Sequence, residues 1–256
     1  MTVPEEIPSK IRDCNEDDFA KNPHKSSDKS KRVRDMFTAI AKRYDFNNRL
    51  HSFWLDQVWR RRAVEMAKVS KSDNVVDVAC GTGDLSMAFY KAGVASVLGI
   101  DFTRAMLDLA VVKAENAGMA IEFRQGDAMN LNLPDSSYDV VSIAFGIRNV
   151  QDPAKAIAEF HRILRPEGRL IVLEFSTPPN KCIRLFNNIY TKNVMPISAT
   201  LIARDKSGAY TYLPKSVETF ADTRELAATI EDAGLPVVEQ SLQSMGVCTI
   251  TKAIKR

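Results

Sequence analysis

The chain has 256 residues, 45% hydrophobic and 26% charged, with a mean hydropathy of -0.19. This composition suits a globular protein that buries a sizeable core, and it excludes collagen, coiled coil and global disorder. Thirty-five Lys plus Arg against 32 Asp plus Glu leave a net charge of +3, too near balance for a protein that binds nucleic acid over its whole surface. No apolar run reaches the ~18 residues of a membrane span, and MTVPEEIPSK lacks the apolar core of a secretory signal, so a cytoplasmic protein is expected. Cys14, Cys80, Cys182 and Cys248 form no CxxC, and His24, His51 and His161 stand apart from them. Neither a disulfide framework nor a metal site is expected.

Residues 1–32 are polar, end in HKSSDKSKR and lack apolar periodicity; they read as a disordered tail. Its basic end is either solvated or weakly drawn to an anionic membrane face. The rest, 33–256, reads as one domain. Val33, Met36, Phe37, Ile40 and Tyr44 fall at helical spacing, and a second helix is expected over about 52–69 with Phe53, Leu55, Val58 and Trp59. The two form an N-terminal helical cap over 33–70.

Beyond Ser70 short apolar runs alternate with amphipathic segments, the pattern of a parallel sheet wrapped by helices. Strands are expected at 74–79, 96–100, 120–125, 138–145 and 169–175. Helices are expected over 84–92, from a Thr103 cap to Asn116, and from the Asp152-Pro153 start through Ile157, Phe160 and Leu164 to the turn Pro166-Glu167-Gly168. Asp222 and Glu225 stand at capping-box spacing before a last helix with Leu226 and Ile230. PVVEQSL (236–242) and GVCTITKAI (246–254) read as a closing antiparallel pair. The sheet then has seven strands. The segment 177–219 breaks the alternation and reads as an inserted lid.

In an open parallel sheet, ligands bind at the C-terminal strand ends, so the loop after the first strand comes first. It runs Asp77-Val78-Ala79-Cys80-Gly81-Thr82-Gly83-Asp84. Gly81 and Gly83 let the backbone turn sharply against a ligand, and the next helix offers unpaired N–H groups. Ser86 replaces the third glycine of a dinucleotide fingerprint, and Asp84 would put a carboxylate beside a pyrophosphate, which disfavours NAD. A cationic ligand without phosphate, S-adenosyl-L-methionine, fits better. Asp77 can hold its amino-acid portion directly or through water, Asp101 its ribose hydroxyls and Asp127 its adenine amino group. The structural alternative is that these acids only cap helices and turns.

The set VDVACGTGD, GIDFT, GDAMNLNLPDSSYDVV and LRPEGRLIVLEF resembles class I methyltransferases. AFGIRNV, EFSTPP, YTYLPKSVETF and the opening MFTAIAKRYDFNNRLHSFWLDQVW are similar to the ubiquinone/menaquinone biosynthesis C-methyltransferases, over about Val33 to Lys252. The resemblance implies a Rossmann-like, seven-stranded α/β sheet and methyl transfer from S-adenosylmethionine to a ring carbon of a prenylated quinol, demethylmenaquinol foremost. It carries cofactor contacts over to Thr82, Asp101, Asp127 and Ala128. Two positions depart from the family: Ala144 stands where Ser is usual, and Trp54 where Gly is usual.

Methyl transfer from a sulfonium is an in-line displacement, so positioning dominates. A ring carbon attacks only once a neighbouring hydroxyl has lost its proton, which calls for a base and for a donor or cation at the phenolate. Arg148 is the expected phenolate-stabilising or water-orienting group, a salt bridge to a neighbouring acid being its alternative, and Asn149 an orienter. Tyr44, Asp45 and His51 are the candidate bases, although a histidine on a semi-apolar helix start such as His51 more often packs than catalyses. Ile183, Phe186, Tyr190 and Val194, with Tyr210, Tyr212 and Leu213, could line a path for the prenyl tail or serve as ordinary core. As a lid they would place the protein transiently at the membrane surface, peripheral to its inner face. No nucleic-acid partner is expected, and oligomeric state and the choice between naphthoquinol and benzoquinol stay open. The competing readings are another small-molecule S-adenosylmethionine methyltransferase, an NAD-linked oxidoreductase, and a non-catalytic module of a quinone-forming assembly.

Overall fold

The computed structural model describes residues 22–195, 197–198 and 209–256. The first 21 residues of the expected tail lie outside them. Two helices open the described chain, α1 (Lys29–His51) and α2 (Leu55–Ala67). Residues 22–32 depart from the tail reading. Pro23–Lys25 form a 3-10 turn capped by Asn22, and α1 begins four residues ahead of Val33. The reason is Lys29, only 1% exposed, whose ammonium donates to the Val150 carbonyl at 2.5 Å. A lysine adds nothing to apolar periodicity, so its burial leaves no mark in the pattern. Burial pushes this ammonium down to about 8.

The elements that follow are β1 (Asn74–Val78), α3 (Asp84–Lys91), β2 (Ser96–Asp101), α4 (Arg104–Asn116), β3 (Glu122–Gln125), β4 (Tyr138–Ala144), α5 (Pro153–Ile163) and β5 (Leu164–Phe175). After them come α6 (Lys181–Ile189), α7 (Ala209–Glu218), α8 (Thr223–Asp232), β6 (Val237–Gln243) and β7 (Cys248–Ile254). The strands form one seven-stranded sheet in the order β3-β2-β1-β4-β5-β7-β6, parallel except for β7. β1 lies between β2 and β4, with Val75 level with Val97 and Val140. Buried on both faces from Val75 onward, it is an apolar run broken only by Asp77.

Successive side chains of a strand point to opposite faces. Val76 and Val78 pack with Leu98, Ile157, Phe160 and Ile230 on the side of α5 and α8. Val75, Val97 and Ile171 pack with Trp59, Val64 and Phe89 on the side of α2 and α3. β5 starts at Leu164 rather than at 169: the register steps from Tyr138↔Leu164 to Val140↔Arg169, and Glu167 in the intervening turn has φ 62°. The Asp222–Glu225 capping box is complete. Thr103 occupies the cap of α4 without a side-chain capping bond, and its own N–H goes to Asp101 instead.

Within the 177–219 segment the described residues form α6 and α7. α7 packs Tyr212 and Leu213 onto Val33, Met36 and Ile40 of α1, which makes them core. The side chain of Tyr210 lies outside the described residues. Helix α6 buries none of its residues.

Candidate active site

At the C-terminal end of β1 the backbone turns through positive φ at Ala79 (53°), Gly81 (56°) and Gly83 (81°). A Cβ on Gly83 would stand 2.9 Å from the Phe123 ring, so this glycine answers both to conformation and to close packing. The turn edges a cleft of about 800 Å³, open solvent at its mouth included. Gly81, Asp101, Asp127 and Ala128 line it, together with Phe37, Tyr44, Ala144, Phe145 and Asn149.

Asp101 is fixed by two backbone donors, since its Oδ2 accepts the Gly81 N–H and its Oδ1 the Thr103 N–H, each at 2.8 Å. The Thr103 hydroxyl and the Phe102 N–H also act on this carboxylate, which is acceptor-only when ionised, the chemistry a diol requires. Burial raises its pKa against these stabilising bonds. Asp127 accepts the Met129 N–H at 2.9 Å. A ribose and an adenine amino group match these two acceptors, so the cleft fits the adenosine portion of S-adenosylmethionine.

Six residues expected at the cofactor or the reacting group do not line the cleft. Asp77 lies deep in the sheet and accepts Ser86 Oγ at 2.6 Å and Ser142 Oγ at 2.9 Å. Burial pushes its carboxyl up to about 6, and it does not line the cleft. Thr82 donates to Asp45 at 2.5 Å. Asp45 in turn accepts Lys113 Nζ at 2.6 Å, so it is consumed by a network that also ties Lys113 and Arg49 to Asp84. Burial alone would raise the Asp84 carboxyl, but Arg60, Lys113 and Arg49 more than offset it and hold it at about 2. The network fastens α1 to the glycine turn and engages both Asp45 oxygens. Gly83 backs the turn rather than edging the cleft.

Arg148 is also buried, at 3% exposure beside Glu174 at 4%, with the two joined at 2.6 Å. Its guanidinium donates further to the Phe145 carbonyl at 2.7 Å and to Ser216 Oγ at 3.3 Å, and it lies over the Phe175 ring. Its salt-bridge alternative therefore holds, and Arg148 shapes the turn from behind. His51 accepts from or donates to the Tyr190 hydroxyl at 3.1 Å, away from the cleft. Its Nε2 is buried with no partner among the described residues, and burial lowers its pKa.

Two of the expected catalytic residues do reach the cleft. Tyr44 meets Phe37 edge-on at 5.8 Å. Burial raises its phenol pKa, which favours the protonated form. Asn149 donates to the Phe145 carbonyl at 3.2 Å and accepts the Tyr212 hydroxyl at 2.9 Å, which locks its amide. The Tyr212 contact, and Ser30 and Gln151 in the lining, escaped sequence reasoning. Ser30 lies in the polar stretch with no signal of its own; the paired motifs around Asn149 and Tyr212 were the only hint that these segments meet.

This sheet order, with a glycine turn after β1 and a carboxylate at the end of β2 facing one cleft, defines a class I S-adenosylmethionine-dependent methyltransferase. The fold is shared with a SAM-dependent methyltransferase from Thermotoga maritima (TM-score 0.62, 19% identity, covering 88% of this chain and 100% of that one) and with another from Aquifex aeolicus (TM-score 0.58, 18% identity, 77% and 89%). More specifically, the chain belongs to the ubiE/COQ5 methyltransferase family, whose model matches residues 25–255. It is 44% identical over 216 residues to the demethylmenaquinone methyltransferase of Thermus thermophilus, covering 84% of this chain and 97% of that protein. It is 38% identical over 231 residues to the ubiquinone/menaquinone biosynthesis C-methyltransferase UbiE of Geobacter sulfurreducens, covering 89% and 90%.

Proposed function

We propose that this enzyme methylates a ring carbon of a prenylated quinol, with demethylmenaquinol as its substrate and menaquinol as its product. The observation that carries this reading is one cleft that combines the acceptors for an adenosine, Asp101 and Asp127, with an aromatic wall of Phe37, Tyr44 and Phe145 beside the locked amide of Asn149. The family and the names of its relatives favour a quinol over other small molecules and leave no support for the NAD-linked reading.

Bound there, S-adenosylmethionine would supply a methyl group on a positively charged sulfur. The chain's own contribution is placement. Flat rings of Phe37 and Phe145 suit a planar aromatic substrate. The Tyr44 hydroxyl and the second N–H of the Asn149 amide are the donors available to a ring oxygen, where negative charge grows as the ring carbon attacks. With Asp45 and His51 engaged elsewhere, the departing hydroxyl proton passes to water held by these polar groups. Substrate enters from a lipid phase, which makes the protein peripheral to the cytoplasmic face of the membrane.

The test is methyl transfer from labelled S-adenosylmethionine to reduced demethylmenaquinone and, in parallel, to a reduced ubiquinone precursor. Turnover on the naphthoquinol that falls by about 10²-fold in Asn149→Ala supports the reading. Cofactor binding without turnover on either quinol overturns the substrate assignment.

A further inference from the structure

The turn between α1 and α2 carries three large apolar side chains outward: Phe53 at 73% exposure, Trp54 at 58% and the neighbouring Leu55. Phe53 and Trp54 also hold left-handed backbone, with φ of 53° and 61°. Bulky residues rarely adopt this conformation, which is strained for any side chain with a Cβ. Neither residue recovers that strain through core packing, because both rings point into solvent. Trp54 heads α2 without capping it.

Beside this turn lies α6. Its Tyr190 end meets the Phe53 ring at 6.1 Å and bonds His51 through the phenol, so the two elements form one continuous surface. Leu185 at 60% and Phe186 at 73% exposure, with Ile189, extend it. Isolated exposed apolar residues are ordinary, but a continuous patch built from two elements marks a binding surface. Charge indicates what it binds. Between Thr177 and Val194, the stretch that contains α6, the sequence has Lys181, Arg184 and Lys192 and no Asp or Glu, a local charge of +3 that by itself equals that of the whole chain. Among the described residues, no helix is long and apolar enough to cross a membrane. An amphipathic helix flanked by cations, next to an outward Trp, is the pattern of a segment that lies in the headgroup layer of an anionic bilayer.

We infer that the 53–55 turn and α6 together form the surface by which this protein docks onto an anionic lipid bilayer, Trp54 acting as the interfacial anchor. The inference rests on the proposed lipid-borne substrate, since only such a substrate requires the enzyme to visit a bilayer. The dock then delivers the enzyme to the phase where its quinol dissolves.

The experiment is co-sedimentation of the full chain with vesicles of phosphatidylcholine and phosphatidylglycerol at 3:1, and with phosphatidylcholine alone, for wild type, Trp54→Gly and Leu185→Ser. Glycine takes a positive φ freely, so Trp54→Gly should melt at or above the wild-type temperature and any loss of binding is not a folding defect. Expected are binding to the anionic vesicles that weakens with salt, and partition at least tenfold lower in each variant. Turnover on a water-soluble, short-tailed demethylmenaquinol should be unchanged in both variants. That assay separates the two readings: a wild type that binds vesicles but fails on the short-tailed quinol loses its substrate assignment, not its dock. No binding to anionic vesicles, or binding indifferent to both substitutions, overturns the inference. So does a dimer in solution that Leu185→Ser dissociates, which would assign the surface to a second copy of the chain.

Discussion

Removing the Arg148 side chain separates a shaping role from a chemical one. In Arg148→Ala the Glu174 carboxylate stays buried at 4% exposure with its 2.6 Å partner gone, and the Phe145 carbonyl and Ser216 hydroxyl each lose a donor. Breaking one side of a buried ion pair costs about 3–5 kcal/mol, a large part of the roughly 5–15 kcal/mol that holds a domain folded. At about 2–4 °C per kcal/mol for a chain of this size, the melting temperature should fall by roughly 6–20 °C. Urea denaturation with an unchanged slope, together with calorimetry, measures it. The double variant Arg148→Met with Glu174→Gln removes both charges and should recover at least half of the loss, because the penalty comes from the stranded carboxylate. A variant that melts within a degree of wild type while losing turnover would refute this account and return the guanidinium to the reacting group.

Other substitutions probe the remaining groups. Asp77 has its carboxyl raised to about 6, above the roughly 3.9 of an unfolded aspartate; it therefore favours the folded state at low pH and gives up about 2–3 kcal/mol as pH rises from 4 through 6. Asp77→Asn should flatten that slope and stabilise the protein at pH 8, and a 100-fold loss of cofactor affinity without any stability gain would instead put Asp77 at the ligand. Tyr212→Phe releases the Asn149 amide and should lower kcat several-fold at an unchanged KM for S-adenosylmethionine; burial holds this phenol at about 12, so the effect should not vary with pH between 6 and 9. Asp101→Asn exchanges one acceptor oxygen for a donor amide and should weaken S-adenosylmethionine by about 10–100-fold in calorimetric titration, whereas unaltered affinity would remove Asp101 from the cofactor site.

The strands were legible because apolar runs and turn residues are local signals; their order around β1 comes from the structure. Gly81, Asp101 and Asp127 come together along the cleft because each ends or follows a strand and strand ends converge on one edge. The fate of the charged residues could not be read this way. Arg148 pairs with a carboxylate 26 positions away, Asp45 with a lysine 68 positions away and Lys29 with a carbonyl 121 positions away. A charge looks the same in the sequence whether it faces water, a ligand or a buried partner, and only tertiary packing decides among them. The same blindness left Tyr212 open between a path for the prenyl tail and ordinary core; it closes the core between α1 and α7.

The strand order also bears on how the sheet is assembled. β7 follows β6 in the chain but lies inside it, bonded to β5 on one side and to β6 on the other. The β5 edge therefore stays bare until residues some 75 positions later arrive, and β6 can take its place only as the outer arm of a hairpin already formed with β7. A bare edge of apolar strand is an invitation to pair with the wrong chain, and contacts this distant in sequence form slowly. Of all the segments, the β6–β7 hairpin is thus the one whose delay would expose the protein to aggregation, and a proline in β7 should harm yield at synthesis more than the same change in β3 at the opposite edge.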